Sequence, residues 1–492
     1  MGLTLEQAGR LADVLMSELQ SRSGAVRTAT HYYMGKVPLR FASEQYRQYF
    51  EKQYRGFSDN WVAPVSESPV ERLAVTGVKA AGEITADRDL WEVWQRNGLD
   101  ADSQLGFLGA GLGARAFALV WGDPDDEETP RVTFEDARQA IVQYEPGSRR
   151  CRRAALKTWQ DGNREFATLY LKDEVWKLQR PVGAEPRKSP LLAQADELER
   201  DWAPREMGEE PNPQLNPLGM VPMVELPNRP LLADDPISDV SGVIAMQDAV
   251  NLLWSQLFTA SDFASFPQRV VLGAEPPKTP ILDANGQVIG SKPVPLEKFA
   301  VDRVLWLSSD KASIGSWPAA NLEAYTKVIE VAVGHIAAQT RTPQHYLIGK
   351  MANLSGDALI AAETGQVKKV QQKQLWYGQA LRELFQLIAL ARGEDGKARA
   401  LAGGTVMWAD AESRSMAQLT DSLLKLKQIG FPFEYLALRY GLTPTEVADL
   451  MAMREQEAAL DPVSALMNSA QQAQGAQPAA PPGPLAEPAP TG

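Results

Sequence analysis

The sequence predicts an α+β fold that is mainly helical, and three observations carry that prediction. Segments 236–264, 318–340 and 357–392 place apolar residues at helical spacing over long stretches. Residues 154–181 instead alternate apolar with polar side chains between turns at Asp161-Gly162 and Asp173-Glu174, as an antiparallel meander does. At 492 residues and 44% hydrophobic content, the chain has material for about three domains or one elaborate one.

The first half mixes short elements. Leu3, Leu5, Ala8, Leu11, Val14, Leu15 and Leu19 predict a helix over 3–24, followed by a break at Gly35 and Pro38 and a short helix over 42–57. SESPVERLAVTGVKA (66–80) reads as a serine-capped helix running into a strand, and 87–104 as one helix carrying Trp91, Trp94 and Leu99. Residues 113–122, 131–134 and 141–146 read as strands ahead of the meander. Prolines crowd 182–236, which predicts a stiff connection over the surface.

In the second half, Asp235-Pro236 offers an acidic cap and a proline at the first helical position, starting a helix to about 264 that Pro267 stops. Residues 268–312 read as strands and turns, with Asn285-Gly286 as a hairpin signal. Ser316-Trp317-Pro318 opens the next helix, a loop spans 342–356, and a helix about 54 Å long runs from Asp357 to about Arg392. A strand at 404–410 and two or three helices over 412–460 complete the ordered part. The Ala/Pro/Gln/Gly-rich 461–492 cannot bury a core and is expected to be disordered. Long helices draw most of their stability from tertiary contact, which suggests struts packed against neighbours around a ring.

Charge and composition narrow the function. Lys and Arg number 50 against 62 Asp and Glu, a formal charge of −12, which disfavours wrapping duplex DNA but not surrounding it loosely. One cysteine excludes an intramolecular disulfide framework, and three histidines leave little for metal or acid–base chemistry; no metal site, cofactor or catalytic residue is expected. No run of about 20 apolar residues is present, so no membrane-spanning helix is expected, and the acid-bearing N-terminus is unlike a signal peptide.

The motifs favour packing over chemistry. GAGLGA (109–114) matches a loose dinucleotide fingerprint, but a helix precedes it and a strand follows, the reverse of the order that puts pyrophosphate on a helix N-terminus. Close helix packing is the better reading, and a nucleotide-binding enzyme the weaker alternative. Gly35-Lys36-Val37 and Gly349-Lys350-Met351 lack the hydroxyl of a Walker loop. The arginines around Cys151 suit a subunit contact at least as well as nucleic acid. Trp91, Trp94, Trp376 and Tyr377 are read as core or interface, and His335, on a helix among apolar sequence neighbours, as structural.

Four runs together resemble the portal proteins of tailed bacteriophages, specifically the siphovirus type common in actinobacterial phages. They are HYYMGKVPLRF (31–41), NWVAPVSESPVERLAVTGV (60–78), MQDAVNLLWSQLFTASDFASFPQRVVLG (246–273) and TPQHYLIGKMANLSGDALIAAETGQVKKVQQKQ (342–374). The resemblance covers about 1–460. It implies a ring, usually of twelve subunits, at one capsid vertex of the virion, assembled in the host cytoplasm. A terminase motor would drive double-stranded DNA inward through it, and the head-completion adaptor and major capsid protein would be its other partners. It implies a wing (1–235), a stem helix (236–264), a clip (265–317), a second stem helix (318–340), a tunnel loop (341–356), a long helix with a strand returning to the wing (357–411) and a crown (412–460). Tunnel-loop candidates are Arg341, His345, Lys350, Met351 and Asn353. In the stem, Trp254, Leu257 and Phe258 are expected to pack against Tyr325, Val328, Ile329 or Val333 of the same or the adjacent subunit. Another head or connector protein is the nearer alternative.

Overall fold

A computed structural model describes residues 2–182 apart from 38, 55, 84 and 127, then 201–205, 211–265, 269–273, 278–293, 304–307, 321–349, 356–412 and 416–460. The expected clip is therefore only partly described, and the tail after 460 lies outside the described residues.

Helix α1 (Leu5–Tyr33) starts at a capping box in which Thr4 and Gln7 each satisfy the other's backbone N–H. It continues past the expected end near 24 because both halves of its inner face are covered. Ala8, Ala12, Leu15 and Leu19 lie on the meander with Leu156, Leu169 and Leu178, while Ala29 and Tyr32 join a different core cluster. Helix α2 (Glu44–Gln53) is capped by Ser43. Helix α3 (Val62–Val70) begins before Ser66, whose hydroxyl donates back to the Val62 carbonyl instead of capping. Strand β1 (Val75–Lys79) follows. The single helix expected over 87–104 is two, α4 (Arg88–Arg96) and α5 (Leu99–Gly113), because Gly98 adopts a left-handed φ of +66° between them.

Strands β2 (Arg115–Trp121), β3 (Arg131–Glu135) and β4 (Ala140–Tyr144) lead into the meander β5 (Arg152–Asp161), β6 (Arg164–Leu171) and β7 (Glu174–Pro181), with two-residue pieces β8 (Ala203–Pro204) and β9 (Gln214–Leu215) on its edge. The proline-rich stretch corrects the sequence reading. It contains β10 (Met223–Pro227), which pairs antiparallel with β2 in a sheet of order β10-β2-β3 and buries Met223 and Leu226 completely. An edge strand tolerates Pro222 and Pro227 at its ends, so proline density concealed a core element.

Helix α6 (Ile244–Ser265) starts eight residues later than Pro236 suggested. Residues 235–239 are committed to tertiary contacts instead: Asp235 pairs with Arg115, and the Asp239 N–H donates to the Gly111 carbonyl. Beyond it lie β11 (Arg269–Leu272), the hairpin β12 (Lys278–Leu282) and β13 (Val288–Pro293) around Asn285-Gly286, and β14 (Val304–Leu307), parallel to β11. Helix α7 (Leu322–Thr340) is capped by Asn321; the Ser316–Pro318 start signal is outside the described residues. A short helix α8 (Gln344–Ile348) interrupts what the sequence presented as a loop. Helix α9 (Gly356–Ala391), α10 (Asp395–Leu401), β15 (Thr405–Trp408), α11 (Met416–Gln428), α12 (Phe433–Tyr440) and α13 (Pro444–Leu460) complete the chain, with β15 antiparallel to β1.

The largest core cluster surrounds α9, where Trp91 stacks on Trp94 and Trp94 on Phe385 with centroids 5.8 and 5.6 Å apart. One polar knot crosses it. Lys373, 2% exposed, pairs with Asp239 at 2.7 Å and donates to the Asn228 side-chain oxygen, which also accepts from the Tyr377 hydroxyl at 3.0 Å. The Asn228 amide donates to the Ile237 carbonyl, and its backbone N–H to the Ala114 carbonyl. Burial pushes the Asp239 carboxyl up, but Lys373 and Lys369 outweigh it and hold the group below the usual carboxylate range.

Removing one partner of such a pair strands a buried charge, so Lys373→Met is expected to cost about 3–5 kcal/mol in urea denaturation. The double variant Lys373→Met/Asp239→Leu should cost less than the two single changes combined, as a double-mutant cycle would measure. Gly106 faces Phe134 so closely that an added Cβ would sit 2.3 Å from the ring. Gly106→Ala should therefore lower stability by about 1–3 kcal/mol through overpacking.

Candidate functional site

Helix α7 ends at Arg341, whose left-handed φ of +54° lets its N–H reach the Ala337 and Ala338 carbonyls and turns the chain toward α8. Residues 341–349 are then tied down from two sides. Arg72, just past α3, donates to the Tyr346 hydroxyl at 2.5 Å, to Glu363 of α9 at 3.1 Å and to the Ala411 carbonyl at 3.0 Å. The Tyr346 hydroxyl also donates to Glu363 at 3.3 Å, and the His345 ring lies 3.8 Å from the same carboxylate. Burial lowers the Arg72 pKa, but its bonds to Glu363 and Tyr346 outweigh that and raise it, so the guanidinium stays charged.

Of the residues singled out in this stretch, Arg341 is exposed and His345 is half-buried against Glu363 and the Tyr346 ring. Lys350, Met351 and Asn353 lie outside the described residues.

The paired helices α6 and α7 bring together some of the other candidates. Ile329 and Val333 are buried with Val250, and Trp254 packs against the edge of that cluster. The Trp254 indole N–H donates to Asp59 at 2.6 Å, and its ring meets Phe57 and Phe258. Phe258 stacks on Tyr54 with centroids 5.2 Å apart, so these two aromatics also face the segment after α2. Leu257 is buried, Tyr325 half-buried, and Val328 is 51% exposed within the single chain. His335 is exposed within the single chain.

The N-terminal segment grips α6 through polar contacts that apolar periodicity could not signal. Tyr32 donates to Asp248 at 2.6 Å, Tyr54 to Asp262 at 2.5 Å, and the Tyr46 hydroxyl meets that of Thr259 at 2.8 Å. Gln247 holds the Trp61 N–H and the Asp59 carbonyl, so 59–61 is clamped onto the start of the helix. Burial and the bond to Asp248 keep the Tyr32 phenol protonated by raising its pKa.

GAGLGA acts in packing. An added Cβ at Gly113 would lie 3.3 Å from both Ala137 and Val26, and one at Gly111 3.5 Å from the Asp239 carboxylate. The Gly111 carbonyl already accepts from the Asp239 N–H and the Ser238 hydroxyl. In the Cys151 region, Arg152 pairs with Glu383 of α9 and Arg149 donates to the Leu231 carbonyl, so both serve contacts within the chain.

A second polar site was not foreseen from the sequence, which singled out only Arg341 among its cations. Arg229, Arg341, Lys369 and Lys373 line one cavity of about 470 Å³ with Asp239 on its wall. The Lys369–Lys373 spacing of four in an otherwise ordinary helix was the available signal.

The family described as "Phage portal protein, SPP1 Gp6-like" matches residues 15–458. Portal proteins of Mycobacterium phages L5 and D29 are each 27% identical over 410 residues, covering 80% of this chain and 78% of theirs. The neck of a native gene transfer agent particle, computed with C12 symmetry, aligns over 82% of this chain and 95% of its own at 10% identity, with a TM-score of 0.39, too low to bear on the fold. The family match alone spans helices, sheets and knot together, and by it the chain belongs to the phage portal protein family of the SPP1 Gp6-like type.

Proposed function

We propose that this portal-family chain assembles as a ring, of about twelve copies as is usual for portals, at a capsid vertex and forms a conduit for double-stranded DNA. The single observation that carries the reading is the family match over 15–458, which takes in nearly every described element. In this reading 1–235, with the strand near 404–410, is the wing, α6 and α7 the stem, 265–317 the clip, 341–356 the tunnel loop and 412–460 the crown. The role is structural: a separate terminase supplies the motor, and the clip meets that motor and later the head-completion adaptor.

Two physical features support it. Val328 and Val331 on α7 are 51% and 58% exposed in the isolated chain, apolar surface that a neighbouring copy would cover. A chain carrying −12 repels a polyanion in bulk, which suits a conduit whose cargo must keep moving. Sparse cations at the 341–356 stretch, Arg341 and Lys350, would centre the duplex without holding it.

Negative-stain electron microscopy of the purified chain is expected to show rings with a central channel; a uniformly monomeric chain would sink the proposal. Val331→Asp should abolish rings while leaving the circular dichroism spectrum unchanged, since the side chain is exposed in the monomer. Replacing Arg341 and Lys350 together by Glu should shorten the packaged DNA or impair its retention, read by the length of DNA protected in particles. Unchanged packaging and retention would remove the tunnel-loop assignment.

A further inference from the structure

We infer that the cavity between the end of α7, the middle of α9 and the turn after β10 is a binding site for a phosphate-class oxyanion. Three cationic side chains, Arg229, Arg341 and Lys369, line it with no ion pair or side-chain hydrogen bond to another described residue. Lys373 lies on the wall, but its charge is already matched by Asp239. Asp239 offers one negative charge against four positive ones, and its two oxygens already face the Lys373 ammonium and the Asn228 amide. The cavity thus gathers four cations and one carboxylate.

The site is built on rigid parts. Lys369 and Lys373 are one turn apart on α9 and face the same way. Lys373 is pinned by Asn228 and Tyr377. Arg341 lies against α9 on the same wall, with its Cβ 3.6 Å from where a Cβ of Gly365 would stand. Arg229 and Arg341 are also two of the three non-glycine residues with positive φ among the described residues, at +48° and +54°. Left-handed backbone costs on the order of 1–2 kcal/mol per such residue and clusters where function holds it.

Physical chemistry then favours an anion over water. Like charges sharing a cavity repel, and burial together with Lys373, Arg229 and Arg341 depresses the Lys369 pKa to about 8 despite the attraction of Asp239. A tetrahedral oxyanion would relieve that repulsion, since guanidinium forks and an ammonium supply several donors to its oxygens. The neutral side chains of Gln339 and Gln372 on the same wall add donors without opposing charge. The cavity's volume leaves room for the anion together with bound water. The source is either a free phosphate or a phosphate of a nucleic acid backbone, and the chemistry is the same for both. The inference rests on this cavity alone and does not require the ring.

The test is equilibrium dialysis of the full chain, in the oligomeric state in which it purifies, against labelled inorganic phosphate at constant ionic strength. Saturable binding near one site per chain is expected, weakened at least tenfold in Arg229→Gln and in Lys369→Gln and largely restored in Lys369→Arg. The melting temperature of Lys369→Gln should be unchanged or raised, because a crowded cation has been removed, which separates loss of binding from loss of fold. In a second arm, displacement of the phosphate by a short DNA duplex would assign the site to backbone phosphates, and lack of displacement to a free phosphate; either upholds the site. No saturable binding, or binding equal in the wild type and both Gln variants, overturns it. So does a Lys369→Gln chain that loses oligomerisation while phosphate binding persists, since the pocket would then serve a carboxylate of an adjacent copy.

Discussion

The buried ion pair between Lys373 and Asp239 is the constraint around which the described part of the molecule is arranged. It joins the middle of the longest helix to the segment that leads into α6, and Asn228 extends it to the end of β10. The Asp239 N–H donates to the Gly111 carbonyl, which fixes the segment against the end of α5. Four elements distant in sequence therefore meet at one charge pair. An ion pair this deep contributes little net stability compared with apolar replacements, but breaking one side is costly. It ties α9 to the segment that leads into α6, because loss of either partner leaves the other charge buried and unmatched.

The same knot explains the neighbouring cavity. With Lys373 satisfied inward, the next cation up the helix, Lys369, is left facing space shared with Arg229 and Arg341. An acidic chain thus carries a local concentration of positive charge where two strained backbone turns converge. Overall charge and local field answer different questions. The first governs how the whole surface meets a polyanion, and the second decides where a single oxyanion can rest.

Helix α1 bridges two cores. Its first half lies on the meander and its second half on the cluster shared with α6 and α7, so one continuous helix packs against both. Polar contacts then lock the rod and the following segment to α6 at four positions along it, through Tyr32, Asp59, Tyr46 and Tyr54. These are hydrogen bonds with direction, which apolar packing alone would not provide.

Much of the architecture was legible in residue order. The meander over 154–181, the Asn285-Gly286 hairpin and the long helix α9 follow from period and turn chemistry, which act between residues a few positions apart. The helix-before-strand order around GAGLGA was enough to favour packing over cofactor binding. The errors share a cause: each arose where a distant partner overrode a local signal. Pro222 and Pro227 hid an edge strand that exists because β2 offers it hydrogen bonds, and Asp235-Pro236 failed as a helix start because Arg115 claimed the carboxylate. Local sequence can specify elements, since their energetics depend on nearby side chains. The pairing of Lys373 with Asp239, and the cationic cavity beside it, depends on residues more than a hundred positions apart, and only folding brings them within reach.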